Sequence, residues 1–297
     1  MATFLPLPRG FLEGLRRLEV VARHRAGGGA AGERTSARKG QGVEFADHRP
    51  YVPGDDPRFI DWGAFARLGR PVVKEFVEES DVAVTVLVDA SASMGFGQPR
   101  RLDFASTLAR VVASAALARH ERAGVGVVRG DEVAVVPPGR GPGQSGRVEA
   151  ALLGAEAGGR THLATALARH FAARPPEGVV VLVSDMCDEE GPDRVLDCLV
   201  HFGADARVLL ITDDAEADAV PPGPVELVDA ETGEVARMMV TPEVRVAIRR
   251  SVDAWRAGVA SRSADLGIPC ASVELHRPVD AVVADLARRG VVLRARS

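Results

Sequence analysis

Residues 81–94, DVAVTVLVDASASM, decide the fold. Val82, Val84, Val86 and Val88 alternate with Ala83, Thr85 and Leu87, so both faces of this run are apolar. A strand of that kind belongs inside a parallel sheet, where helices cover it on both sides. Asp89 stands where the apolar run stops, at the carboxyl end of the strand, and open α/β sheets place their ligand sites in the crevice along that edge. Ser91 and Ser93 follow at alternate positions. One carboxylate and two hydroxyls so close together form a hard, oxygen-rich donor set, which suits Mg²⁺ or Mn²⁺ and suits zinc poorly. The plainer alternative is a polar strand-to-helix loop whose Ser or Asp caps the next helix.

Two later stretches bear on that choice. Residues 158–167, GGRTHLATAL, set Thr161 behind a glycine pair at the start of a helix running to residue 173. Thr161 either lends its hydroxyl to a cation held by Asp89 or serves as the helix N-cap. Residues 178–188, GVVVLVSDMCD, repeat the opening grammar, an apolar strand over 179–183 ending in Ser184 and Asp185. A second strand-terminal carboxylate belongs on the same rim of a parallel sheet as the first. Each piece is common alone, but the three in this order point to one metal site at Asp89, Ser91, Ser93, Thr161 and Asp185. The Asp-x-Ser-x-Ser opening resembles the metal-ion-dependent adhesion site of a von Willebrand factor A domain.

The 297 residues suffice for one large or two small domains, and 46% hydrophobic with 26% charged residues is ordinary for a soluble globular chain. A net charge of −4 argues against general nucleic-acid binding, which needs a basic surface. No apolar run is long enough for a spanning helix, and Arg16 and Arg17 break up any signal-peptide core, so a cytoplasmic protein without an integral membrane segment is expected. Cys187, Cys198 and Cys270 show no C-x-x-C spacing and leave one thiol over in any pairing, which favours reduced thiols.

Along the chain, Leu12, Leu15, Leu18 and Val21 predict an amphipathic helix over 10–25, followed by a Gly-rich loop over 26–42. Basic residues exceed acidic ones from Arg9 to Lys39, as a solvated face or as a dock for an acidic partner or anionic lipid. Gly27, Gly28 and Gly29 lack the strand and Lys-Ser/Thr of a phosphate loop. Residues 42–80 are punctuated by Pro50, Pro53, Gly54 and Pro57 around the acidic pair Asp55 and Asp56. They gather Phe45, Tyr51, Phe59, Trp62, Phe65 and Phe76, which read as a small accessory core, or as a stacking platform. Further on, the pattern predicts a long helix over 100–122, a hairpin turning at Gly130-Asp131 and a helix over 193–202. Then come a strand over 206–212, a hairpin over 225–240 turning at 229–234, a helix over 242–265, a strand over 268–275 and a helix over 278–289.

The block GVEFADHRPYVPGDDPRFIDWGAFARLGRPVVKEF, followed by VLVDASASMGFG, closely resembles the domain of unknown function 58 family. The resemblance covers most of the chain, with Glu44-Phe45-Ala46-Asp47, Tyr51-Val52-Pro53-Gly54-Asp55-Asp56, Ile60-Asp61-Trp62 and Lys74-Glu75-Phe76 as its specific motifs. It implies an α/β fold, a doubly wound, mainly parallel sheet of von Willebrand factor A-like type, with an N-terminal helix and an aromatic, Pro-rich accessory segment. Residues 1–80 are expected to hold that helix and segment, and residues 81–297 the main domain with its hairpin insertion and C-terminal helix. Members of this family resemble partners of MoxR-type AAA+ ATPases, so the resemblance implies an adaptor or co-chaperone that joins such an ATPase to a client protein. In that reading the hydroxyls of Ser91, Ser93 and Thr161 and the carboxylates of Asp89 and Asp185 hold Mg²⁺ or Mn²⁺. One position stays open for an acidic side chain of the partner, and no catalytic residue is expected. The alternatives are a metal-assisted, phosphatase-like hydrolase with His162 as its candidate base, and a metal-free scaffold whose serines merely cap a helix.

Overall fold

The computed structural model describes residues 1–22, 43–51, 60–78, 82–215 and 220–295. The Gly-rich loop over 26–42, the turns at Asp55 and Asp56, and Phe59 lie outside the described residues, as do the side chains of Phe45 and Phe76. The chain divides into two compact units, Met1–His24 with Val82–Ser297, and Arg25–Asp81.

In chain order the elements begin with α1 (Phe11–Gly14), a 3₁₀ turn (Leu15–Arg17) and β1 (Leu18–Val20). The smaller unit follows with β2 (Val43–Pro50), α2 (Trp62–Leu68) and β3 (Val72–Glu78). Next come β4 (Ala83–Asp89), α3 (Arg101–Ala118), β5 (Arg122–Arg129), β6 (Glu132–Gly139), α4 (Pro142–Leu153), α5 (Leu163–Ala173) and β7 (Val179–Ser184). The chain continues through α6 (Pro192–His201), β8 (Asp205–Thr212), β9 (Gly223–Val228), β10 (Val235–Val240) and α7 (Pro242–Asp265). It closes with β11 (Cys270–Glu274), α8 (Val279–Arg289) and β12 (Leu293–Ala295).

Six strands form the main sheet in the order β11-β8-β7-β4-β5-β6, parallel throughout except for the edge strand β6. This is the expected doubly wound, von Willebrand factor A-like arrangement, with the Asp89 strand at its centre. Alternate residues of the central strands feed two cores. Val84, Val86, Val88, Val181 and Leu209 pack on one face with Phe104, Leu108, Val282 and Leu286. Leu87, Leu182 and Leu210 pack on the other with Leu167, Leu196 and Leu199. Each fully buried Val or Leu side chain stabilises the fold by about 1.5–3 kcal/mol, so the strands between two helical layers are the most strongly held.

The N-terminal segment departs from the expected helix over 10–25. One helical turn and the 3₁₀ turn lead into β1, which pairs antiparallel with β12 through Leu18↔Ala295 and Val20↔Leu293. Of the residues whose spacing suggested a helix, Leu15 is buried in the main core and Leu12 and Leu18 pack partly buried against it, and Val20 of β1 is buried there too. Arg207, itself buried, donates to the Val21 carbonyl at 2.9 Å, and the amides of Thr3 and Leu5 bond to Asp103 and Thr107 at 2.7 and 2.9 Å. The expected boundary at residue 80 is corrected accordingly, since residues 1–24 group with the α/β unit. The partner strand lies at the other end of the chain, where no local pattern reports it.

In the smaller unit, β2 and β3 form an antiparallel pair with an irregularity between Phe45 and Asp47. Asp61 caps α2 by accepting from Ala64 N at 2.9 Å. Ala64, Val72 and Val73 are buried, whereas Trp62 and Phe65 lie edge to face at 6.0 Å and are 63% and 39% exposed. These two rings therefore do not belong to the accessory core expected of them. Among the described residues no helix is long and apolar enough to cross a membrane.

Gly178 marks how tightly the two carboxylate-bearing strands begin. Its φ is +64°, and an added Cβ would stand 2.2 Å from the Ala83 carbonyl oxygen at the start of β4. Gly178→Ala is expected to lose about 3 kcal/mol, combining a left-handed backbone penalty of about 1–2 kcal/mol with overpacking. Gly143→Ala, in open space within α4, should be neutral or stabilising. Urea unfolding of both variants checks this.

Candidate metal centre

β4 and β7 are neighbours in register, Val88 opposite Val183, so the next residues, Asp89 and Ser184, reach the carboxyl edge together. Asp89 is 1% exposed. Its Oδ1 accepts from Ser91 N at 2.8 Å and its Oδ2 from the Ser184 hydroxyl at 2.6 Å. Ser184 Oγ in turn accepts from Met186 N at 2.8 Å, which fixes the direction of its own proton toward Asp89. The Ser91 and Ser93 hydroxyls lie 2.9 Å apart. A 3₁₀ turn over Ala92–Gly95 follows with no side-chain cap, and α3 opens at Arg101 with no side-chain cap either. The capping role proposed for the serines is therefore absent.

The Thr161 loop meets the Asp89 loop through backbone bonds, Gly158 N to Ala90 O at 3.1 Å and Ala92 N to Gly159 O at 3.2 Å. Thr161 is buried, and its hydroxyl accepts from Gly130 N at 3.3 Å. Nor is Thr161 the helix cap. α5 begins at Leu163, and its first amides are taken by Asp188, which accepts from Leu163 N, and by Glu190, which accepts from Thr165 N at 3.0 Å. His162 gathers with these two acids, their ligand atoms within 4.8 Å of one another. A second such group, Asp213, Glu274 and His276, lies at the ends of β8 and β11. Its oxygens are also engaged: Glu274 accepts from Thr212 Oγ1 and Asp214 N, both at 3.2 Å, and Asp213 shares a hydrogen bond with His276 at 3.0 Å.

Asp185 differs from both groups. It is 4% exposed, and its Oδ1 accepts from Cys187 N at 3.1 Å. Its Oδ2 is shielded from solvent and accepts no hydrogen bond. The nearest cation is Arg101, whose Nη1 stands 3.8 Å away and donates to the Ser93 carbonyl at 3.1 Å. Burial, and then the Asp185 charge, push the Asp89 carboxyl up to about 7 against the hydrogen bonds from Ser184 and Ser91. A buried acceptor without a donor costs free energy, and two like charges in one dry pocket cost more. A hard divalent cation resolves both costs, and the donors at hand are all oxygen, so the residues fit Mg²⁺ or Mn²⁺. Asp89, Ser91, Ser93 and Ser184 are joined by hydrogen bonds, Asp185 reaches Asp89 by charge, and Thr161 reaches the group by way of its loop. A cleft of about 360 Å³ opens beside Asp185, lined by Arg101, Cys187, Asp213, Trp255 and Arg256 among others.

One participant and one neighbouring acid escape sequence reasoning. Ser184 was visible as the strand-terminal hydroxyl, but only strand adjacency reveals that it orients Asp89. Glu231 comes from the turn between β9 and β10, and no sequence signal places that turn on this rim. Burial, with the charges of Asp185, Asp188 and Asp229, pushes the Glu231 carboxyl up to about 6, against the Thr161 backbone N–H that faces it.

The family described as Protein of unknown function DUF58 matches residues 47–258. The chain belongs to this family. Uncharacterized proteins of Mycobacterium bovis and Mycobacterium tuberculosis are 30% identical to it over 273 residues, 89% of this chain and 84% of theirs. Among solved structures, the conserved hypothetical protein BatB of Bacteroides thetaiotaomicron is similar with TM-score 0.43 and 15% identity, over 70% of this chain and 98% of that one. The manganese-loaded TRAP protein of Plasmodium vivax is similar with TM-score 0.38 and 13% identity, over 74% of this chain and 80% of that one.

The buried carboxylate sets a stability trade for this DUF58 protein. With its folded-state value raised from 3.8 to about 7, Asp89 contributes stability that is complete below the unfolded value and lost as pH rises through that window. In chelator, Asp89→Asn is therefore expected to melt above the wild type at pH 8, with the gap closing toward pH 5. Paired thermal melts across that range check it, and a gap that stays constant with pH contradicts it.

Proposed function

We propose that this DUF58 protein is a cytoplasmic, divalent-cation-dependent protein-interaction module that serves a MoxR-type AAA+ ATPase as an adaptor toward a client. The observation that carries the reading is the buried Oδ2 of Asp185, which accepts no hydrogen bond and has only the more distant Arg101 guanidinium at 3.8 Å, beside the buried Asp89. Asp89, Ser91, Ser93, Thr161 and Asp185 would hold Mg²⁺ or Mn²⁺, which supplies an electrophilic position that an acidic side chain of the partner completes. The chain's own residues prepare that position. Ser184 and the Ser91 amide orient the Asp89 carboxylate, and Arg101 links the Ser93 carbonyl to the Asp185 side. Without a cation, an incoming carboxylate would face Asp89 and Asp185 unscreened, which makes binding metal-dependent. The ATPase partner rests on the family resemblance. The hydrolase alternative draws no support from His162, whose acidic neighbours Asp188 and Glu190 are engaged by the amides of α5.

A ligand at a hundred times its dissociation constant stabilises a fold by about 2.7 kcal/mol, or roughly 5–10 °C for a domain of this size. The wild type is expected to gain about that much on adding Mg²⁺ to metal-stripped protein, and Asp185→Asn to gain none. Retention of the MoxR-type ATPase on immobilised protein should likewise require Mg²⁺ and be lost in EDTA. Equal melting with and without Mg²⁺ and Mn²⁺ would overturn the reading.

A further inference from the structure

The β9–β10 hairpin carries apolar side chains that its own unit leaves uncovered. Its register sets Pro224 opposite Met239, Glu226 opposite Arg237 and Val228 opposite Val235. Alternate residues of a strand share a face, so these six side chains form one face of the ribbon. All six residues are exposed, Val228, Met239 and Val235 by 63%, 59% and 54%. A two-stranded ribbon is marginal by itself in water and gains stability when a further layer covers an apolar face.

The charges on this face select what covers it. Arg237 Nε donates to Glu226 Oε1 at 2.7 Å, and the two side chains remain 81% and 58% exposed. The acid therefore stands at the middle of one strand and the base at the middle of the other, each flanked by apolar residues. A second ribbon can be stacked on this face by a two-fold axis in two ways. An axis across the strands would set Glu226 over Glu226 and Arg237 over Arg237, and like charges in contact are unfavourable. An axis parallel to the strands lays β9 of one copy over β10 of the other at the same level. Each Glu226 then meets the Arg237 of the other copy, Val228 meets Val235 and Pro224 meets Met239.

We infer that this face pairs with the same face of a second copy of the chain, about a two-fold axis parallel to the strands. Such an isologous contact asks for a self-complementary surface, and an acid and a base at matching positions of paired strands provide one. The strands of the two layers are aligned, as in face-to-face sheet packing, and the ribbon becomes half of a four-stranded sandwich. A six-residue strand pair spans roughly 20 Å by 10 Å, far below the roughly 800 Å² that each partner contributes to a standard interface. The dimer is accordingly weak and concentration-dependent, and it uses no residue of the cation site.

Sedimentation equilibrium in EDTA tests the pairing apart from any metal. The wild type is expected to dimerise with a midpoint of about 10–500 μM. Glu226→Arg and Arg237→Glu each place like charges across the axis and should each weaken association at least about tenfold, as should Val228→Lys, which leaves both charges in place. An equimolar mixture of Glu226→Arg with Arg237→Glu presents two positive charges to two negative ones across the axis, so association should return. Mixing would not repair a ribbon disturbed within its own chain. A wild type that stays monomeric to about 1 mM overturns the inference. So do single variants that associate like the wild type, or a mixture that associates no better than its components.

Discussion

Two carboxylates at the ends of adjacent parallel strands, both nearly buried, repel each other. The register of β4 against β7 makes this unavoidable, because it brings Asp89 and Ser184 level and sets Asp185 one residue beyond. Covering the strands with helices on both faces stabilises the sheet and, by the same burial, raises the cost of the charges at its edge. Stability and the site are thus opposed in origin. The hydrophobic layers hold the acids in a geometry that the acids by themselves would leave.

Around this pair the chain arranges groups that favour the ionised form. The Ser184 hydroxyl and the Ser91 amide both donate to Asp89, and the cationic Arg101 stands 3.8 Å from Asp185 Oδ2. Three loops are fastened to one another, the loop after β4 to Gly158 and Gly159 by backbone bonds, and the 161–162 stretch to the β5–β6 turn by His162 N to Gly130 O and Gly130 N to the Thr161 hydroxyl, both at 3.3 Å. All but one of those bonds join backbone groups; the exception is the Thr161 hydroxyl, which accepts from Gly130 N. Asp188 and Glu190 meanwhile do the ordinary work of satisfying the amides of α5, which separates them from Asp185 although all three follow the same strand.

The β9–β10 hairpin stands on a different footing. The sheet edge is rigid, being the terminus of strands held on both faces, whereas the hairpin is an exposed ribbon anchored where it runs into the capped start of α7. The unit over Arg25–Asp81 contributes a paired strand, a capped helix and two exposed aromatic rings, Trp62 and Phe65.

What the sequence determined was whatever is encoded by near neighbours. The alternation in residues 82–88 specified a strand buried on both faces, and the end of that run located Asp89 on the rim. The same reading of residues 179–185 located Asp185, so the fold class and the five candidate ligands were legible before any coordinates. Tertiary structure alone decided that residues 18–20 form a strand with the far end of the chain, because an apolar spacing states that a face is buried without stating against what. It alone decided that Asp188 and Glu190 cap α5 in place of Thr161, that Ser184 orients Asp89, and that Glu231 arrives from a hairpin more than forty residues downstream. These contacts join side chains that are far apart in sequence, and the packing that brings them together leaves no periodic trace in either partner.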